Sequence, residues 1–151
     1  MTLAFYAPMK APTHPAPSGD RRVAQLLWRA LEEGGHDVSL ASHFRAYDRA
    51  GNSRTQQALA REGGDIAAKL IAGWQADNAA LRPDLWFSYH LYHKAPDWLG
   101  PAVCAALDQR AYRAACSSSR TWTISGLKWG RPLALKICVT AWSLVASAPK
   151  P

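Results

Sequence analysis

A short apolar strand, a proline-rich turn, an amphipathic helix and a second strand follow one another within residues 2–42, and this order constrains the fold more than any other feature of the chain. Residues 2–7, TLAFYA, are an apolar run stopped by Pro8, the pattern of a buried strand. Pro8, Pro12, Pro15, Pro17 and Gly19 then exclude regular structure. A helix begins near Ser18 or Asp20, either of which can accept hydrogen bonds from the open N–H groups of a first turn. Val23, Leu26, Leu27 and Ala30 recur at helical spacing as one buried stripe, and Gly34-Gly35 ends the helix. In HDVSLAS (36–42), Val38 and Leu40 alternate as in a strand. Strand, helix and strand of these lengths predict a right-handed βαβ unit, hence a parallel sheet.

Residues 44–107 are less regular. FRAYDRAGNSRTQQ (44–57) is polar and reads as a surface loop. Leu59, Ile66, Leu70, Ile71 and Trp74 predict one or two helices within 55–80, with Gly63-Gly64 as a break. RPDLWFSYH (82–90) is a third strand whose buried body is Leu85 to Tyr89. LYHKAPDWLG is the loop at its carboxyl end, with Trp98 packing in that loop and Trp86 in the core. PAVCAAL (101–107) opens another helix, with Pro101 suited to its first turn.

The character changes after Leu107. Residues 1–107 carry 11 Lys and Arg against 10 Asp and Glu, whereas residues 108–151 carry seven against Asp108 alone, a net of +6. This tail has no Glu, Asn, His or Phe and is rich in Ser, Arg and Trp. It shows no clean period before 133–148, which could be a strand pair or an apolar tail. Two domains are therefore expected: an α/β unit over 1–107 and a basic segment over 108–151, irregular or poorly ordered. The start, MTLAFYAPMK, lacks the charged and apolar regions of a secretory signal, and no run approaches the roughly 18 apolar residues of a membrane span. Cys104, Cys116 and Cys138 are odd in number and not spaced as metal ligands. They read as reduced thiols of a cytoplasmic protein, and no metal is expected.

Two stretches, LAFYAPMKAPTHPAPSGDRRVAQLLWRALEEGGHDVSLAS and RPDLWFSYHLYHKAPDWLGPAVCAAL, resemble the acceptor-side, N-terminal domain of family 4 glycosyltransferases of the GT-B fold. In that family a first strand leads through a small-residue loop and a helix to a GHxV strand, and a PDhhhxxH strand is followed by a loop and a GP helix. The likeness covers about residues 2–107. It implies a Rossmann-like parallel sheet with flanking helices, one half of a GT-B fold. The family continues with a G-I/L-P turn and another buried strand, where this chain has Asp108-Gln109-Arg110. It also has a donor-binding domain of comparable size, for which 151 residues leave no room. A chain truncated or frame-shifted after about residue 107 is the expectation.

Ser18, Gly19 and Asp20 stand where the first strand meets its helix. Free N–H groups there attract anions, and a glycine lets a diphosphate approach. The resemblance makes this a substrate-binding loop that touches donor diphosphate or acceptor; the plainer reading is a turn and a helix cap. His90 ends the third strand, where ligands of open α/β sheets bind. The resemblance gives it the catalytic position, hydrogen bonding to the transferred sugar with acid/base help; otherwise it is a loop histidine. His14, in the proline-rich loop, could face an acceptor, and Arg21 and Arg22 could meet a phosphate or lie solvated.

The implied function is that of an acceptor-side half of an enzyme moving a sugar from a nucleotide-sugar donor to a glycan or lipid-linked acceptor, inactive alone. No cofactor is expected in this chain, since the donor would bind mainly the other domain. The expected compartment is the cytoplasm, with peripheral contact at the inner face of the membrane. The alternative is a small basic binding protein. Arg110, Arg113, Arg120, Lys128, Arg131 and Lys136 interleave with Trp122, Trp129 and Trp142, a mixture suited to single-stranded nucleic acid or an anionic membrane surface. THPAPSGDRR (13–22) is expected to be a flexible loop at the mouth of a cleft.

Overall fold

A computed structural model describes residues 1–76, 82–107 and 110–114, the last stretch as backbone alone. The chain runs β1 (Thr2–Tyr6), α1 (Gly19–Glu33), β2 (Asp37–Leu40), α2 (Ser53–Ala76), β3 (Leu85–Tyr89), α3 (Gly100–Leu107) and β4 (Arg110–Ala114). The strands form one parallel sheet in the order β2-β1-β3-β4. Register is set on the central strand, where Leu3 lies between Val38 and Leu85 and Phe5 between Leu40 and Phe87.

This order explains the layering. The step from β1 to β2 runs one way along the sheet, while those from β2 to β3 and β3 to β4 run the other way. Right-handed crossovers then place α1 on one face and both α2 and α3 on the opposite face. The packing agrees. Ala24, Leu27 and Leu31 of α1 cover Leu3, Phe5, Ala7, Val38, Leu85, Phe87 and Tyr89. Ala67 of α2 with Val103 and Leu107 of α3 cover Ala4, Tyr6 and Trp86. With helices on both sides, all five residues of β3 are buried, which is why LWFSY lacks an in-and-out alternation.

Four expectations need correction. The α1 stripe centres on Ala24, Leu27, Ala30 and Leu31, so Val23 and Leu26 lie at its margins. Gly63-Gly64 does not break a helix: α2 is continuous through both. A glycine inside a helix costs about 1 kcal/mol against alanine, and close packing at Gly63 offsets it. A Cβ there would sit 2.5 Å from Trp98 Cβ and 3.4 Å from Phe44. The polar stretch 44–57 is a loop only to Asn52, whose Oδ1 accepts from the N–H groups of Arg54 and Thr55 and so starts α2. Finally, a strand follows α3 where none was read. β4 pairs with β3 from Arg110 to Ala114, and parallel pairing through the backbone requires no apolar pattern. The sheet thus continues past residue 107, where the first domain was expected to end.

Among the described helices none is long and apolar enough to cross a membrane. Cys104 is half-buried beside the α2/α3 core. Cys116, Cys138, the 133–148 run and most of the basic Trp-rich stretch lie outside the described residues, as does the end of the predicted 55–80 helix.

Candidate functional site

In a parallel sheet of this order the chain leaves β1 and β3 toward opposite faces, so a crevice opens between their carboxyl ends. Two side chains meet there. His90 follows β3 and Asp20 lies in the first turn of α1, with Nδ1 of the histidine 3.1 Å from Oδ1 of the aspartate. The contact has the distance of an ion pair without the alignment of a hydrogen bond. His90 has 17% side-chain exposure and Asp20 has 40%, so the histidine is sheltered while the carboxylate opens to water.

The backbone of His90 makes this meeting possible. Its φ is 61°, and among the described residues it is the one non-glycine with positive φ. A left-handed residue costs a side chain about 1–2 kcal/mol, and such conformations concentrate at functional sites. Here the strand ends abruptly and the ring reaches toward α1. The Asp20 carboxylate lies beside Nδ1 of this ring.

The other candidates divide. Ser18 caps α1: its backbone is extended and its Oγ accepts from the Arg21 N–H at 3.2 Å. The cap is therefore Ser18 and not Asp20, which is turned to His90 instead. Gly19 opens the helix, and a Cβ added there would meet nothing within 4 Å, so its backbone is approachable. His14 is not drawn into the pair. Its Nδ1 accepts from the Ala16 N–H at 3.2 Å within its own loop.

That loop is anchored, contrary to the flexible segment expected. Arg21 Nη1 donates to the carbonyls of His14 (3.0 Å) and Pro15 (2.9 Å), and Gln25 Nε2 donates to that of Pro12 at 2.9 Å. Prolines lack N–H groups but keep their carbonyls, and the polar side of α1 uses them. The loop after β2 joins on, with Ala46 N–H donating to Pro8 and Arg45 Nε to Met9, both at 3.0 Å. It also holds the loop after β3: Asp48 N–H donates to the Lys94 carbonyl at 2.8 Å, and Lys94 Nζ donates to the Arg49 carbonyl at 2.9 Å. Three loops from three strand ends are thereby laced into one rim around the crevice.

Asp97, which sequence reasoning left as an unremarked loop residue, fixes the far end of the His90 loop. Its Oδ1 accepts from the N–H groups of Leu99 (3.0 Å) and Gly100 (2.7 Å), capping α3. Its Oδ2 accepts from Trp86 Nε1 at 3.0 Å and from the Ser88 hydroxyl. Trp86 Nε1 also reaches Ser88 Oγ at 2.7 Å. Gly100 permits this, because a Cβ there would overlap Asp97 Oδ2 and Trp86. The Tyr6 hydroxyl is buried nearby without a hydrogen bond, and burial together with the Asp97 charge pushes its pKa far up, so it stays protonated. An Asp three residues before a Gly-Pro helix start was the signal in the sequence for Asp97.

Among the described residues no group of three His, Cys, Asp or Glu side chains gathers as metal ligands. Compared with known proteins, the chain matches no family model, no curated protein and no solved structure.

Proposed function

We propose that this α/β unit is the acceptor-side half of an enzyme that transfers a sugar from a nucleotide-sugar donor, built on the GT-B plan, with His90 as the residue that touches the transferred sugar. The supporting observation is the His90–Asp20 pair across the crevice between β1 and β3. A parallel sheet places ligands at that point. In this reading Asp20 orients the imidazole, Nε2 faces a sugar hydroxyl or the acceptor, and the Ser18-Gly19 backbone lies beside the donor diphosphate. The greater part of a nucleotide sugar would be held by a second domain, so this wall alone binds it weakly.

The test is an NMR titration of the full chain with nucleotide sugars such as UDP-glucose and GDP-mannose, and with simple glycosides. Shifts confined to the amides of residues 18–22 and to the His90 ring, removed in His90→Ala, are the expected result. Silence of those signals across the panel at millimolar ligand would reject the reading.

A further inference from the structure

We propose that the rim around the crevice is a binding site for a polyanionic, phosphate-bearing ligand. The inference goes beyond sugar transfer and does not depend on it. It begins with a segregation that the near-neutral charge of residues 1–107 conceals. The segments at the carboxyl ends of the three strands, residues 7–22, 41–54 and 90–100, hold seven Lys and Arg against three Asp. The rest of residues 1–107 holds four Lys and Arg against seven Asp and Glu. Four of the five histidines also lie on the rim segments. A parallel sheet brings these separated segments to one end of the molecule, and the hydrogen bonds between loops hold them together there.

The three rim acids are already engaged within the protein. Asp97 is buried and accepts four hydrogen bonds. Asp48 accepts from the N–H groups of Ala50 at 3.0 Å and Asn52 at 2.6 Å. Asp20 faces His90. Hydrogen bonds to neutral groups cancel no charge on either set, so seven cations against three acids leave these segments a formal net of +4 (7 − 3). Among the described residues no Lys or Arg side chain lies within 4.0 Å of an Asp or Glu carboxylate; the one such contact of a carboxylate is with the His90 ring. Arg21, Arg45 and Lys94 are held instead by backbone carbonyls, which fix a cation in place without cancelling its charge. Arg22, Arg49 and Arg54 are exposed. Fixed cations in excess over acids, with Asp48 and Asp97 turned to internal donors, give a net positive field at the crevice, which concentrates anions. Several anionic groups are needed to span cations on three loops, and phosphates suit arginine through charge-assisted, bidentate hydrogen bonds.

The experiment uses the full chain and two charge-matched triple variants. R22Q/R49Q/R54Q removes three rim charges while leaving every hydrogen bond described above in place. R61Q/K69Q/R82Q removes three exposed charges outside the rim segments, so that anion binding by the basic residues 108–151 is common to both. The probes are inorganic tripolyphosphate, read by calorimetry, and vesicles of phosphatidylcholine with or without phosphatidylglycerol, read by co-sedimentation. Far-UV circular dichroism checks that both variants keep the fold. The expected result is about tenfold weaker binding in the rim variant, with a small change in the other. Loss of tripolyphosphate binding identifies a soluble phosphorylated ligand. Loss confined to the phosphatidylglycerol vesicles identifies a lipid headgroup. Equal losses in both variants, or no binding by the parent chain, would overturn the proposal. The transferase reading would survive that result, since its readout is nucleotide-sugar shifts at His90.

Discussion

The two faces of the sheet are built on different principles. The face under α1 is apolar throughout: Phe5 and Phe87 stack with centroids 5.2 Å apart, and Trp28 closes over Phe5 at 5.4 Å. Its stability is the sum of many small contacts and tolerates exchange of one apolar residue for another. The face under α2 and α3 holds a buried carboxylate with four donors around it. There the energy resides in the donors gathered on Asp97, and loss of that one carboxylate strands several of them. The first arrangement makes a domain fold. The second also fixes the loop that carries His90, because Trp86 and Ser88 come from the strand before it, Leu99 from the loop's end and Gly100 from the helix after it.

Asp97→Ala and Phe87→Ala break this comparison directly. Each is expected to cost about 3–5 kcal/mol, the first through stranded donors and a lost cap, the second through a cavity. The two differ at a distance: Asp97→Ala should shift the His90 ring resonances, and Phe87→Leu should restore most of the stability lost in Phe87→Ala. Urea unfolding and two-dimensional NMR measure both. Equal disturbance of His90 by the two truncations would remove the distinction between the faces.

A finer contrast lies within α2. Gly63→Ala drives a Cβ against Trp98 and should destabilise by about 1–3 kcal/mol. At Gly64 an added Cβ meets nothing within 4 Å, so Gly64→Ala should stabilise by about 0.5–1 kcal/mol through its better helix propensity. Adjacent glycines of opposite sign in thermal melts would show which side of the helix carries the packing; the same sign at both would contradict the close approach at Trp98.

The smallest effect compares Asp97 with the exposed Asp84. Its carboxylate accepts from the Thr2 N–H at 2.8 Å, and that bond holds its pKa below the ordinary 3.8. A depressed carboxylate stabilises the fold above the unfolded pKa, and the contribution disappears as pH falls through the folded value. Asp84→Asn should therefore lower stability slightly near neutral pH and converge with the parent below the ordinary carboxylate range. Denaturation at several pH values checks this, and a gap that widened in acid would refute the sign.

Local chemistry made much of the chain legible. TLAFY, DVSL and LWFSY announce strands by apolar content, and Ser18 with Gly34-Gly35 brackets α1 by capping. His90 was a candidate because it ends a strand of a parallel sheet. Its partner was not legible, because Asp20 lies 70 residues away and reads equally well as a cap. Asp97 was missed for the same reason: two of its donors sit on β3, and only folding brings them to it. β4 was missed because RAYRA has no apolar period, and its pairing with β3 is made by the backbone.

The order β1, α1, β2 and the parallel sense of the sheet were determined by the sequence alone, since strand, helix and strand at these spacings permit little else. The tertiary structure decided what the sheet's carboxyl end presents. Charges dispersed along three segments came to one rim because parallel strands end on the same side, and two acids among them, Asp48 and Asp97, became internal fastenings because backbone N–H groups lay within their reach. Linear charge averages over the distances that folding removes, so the excess of seven cations over three acids on the rim segments is hidden in the 11 against 10 of residues 1–107.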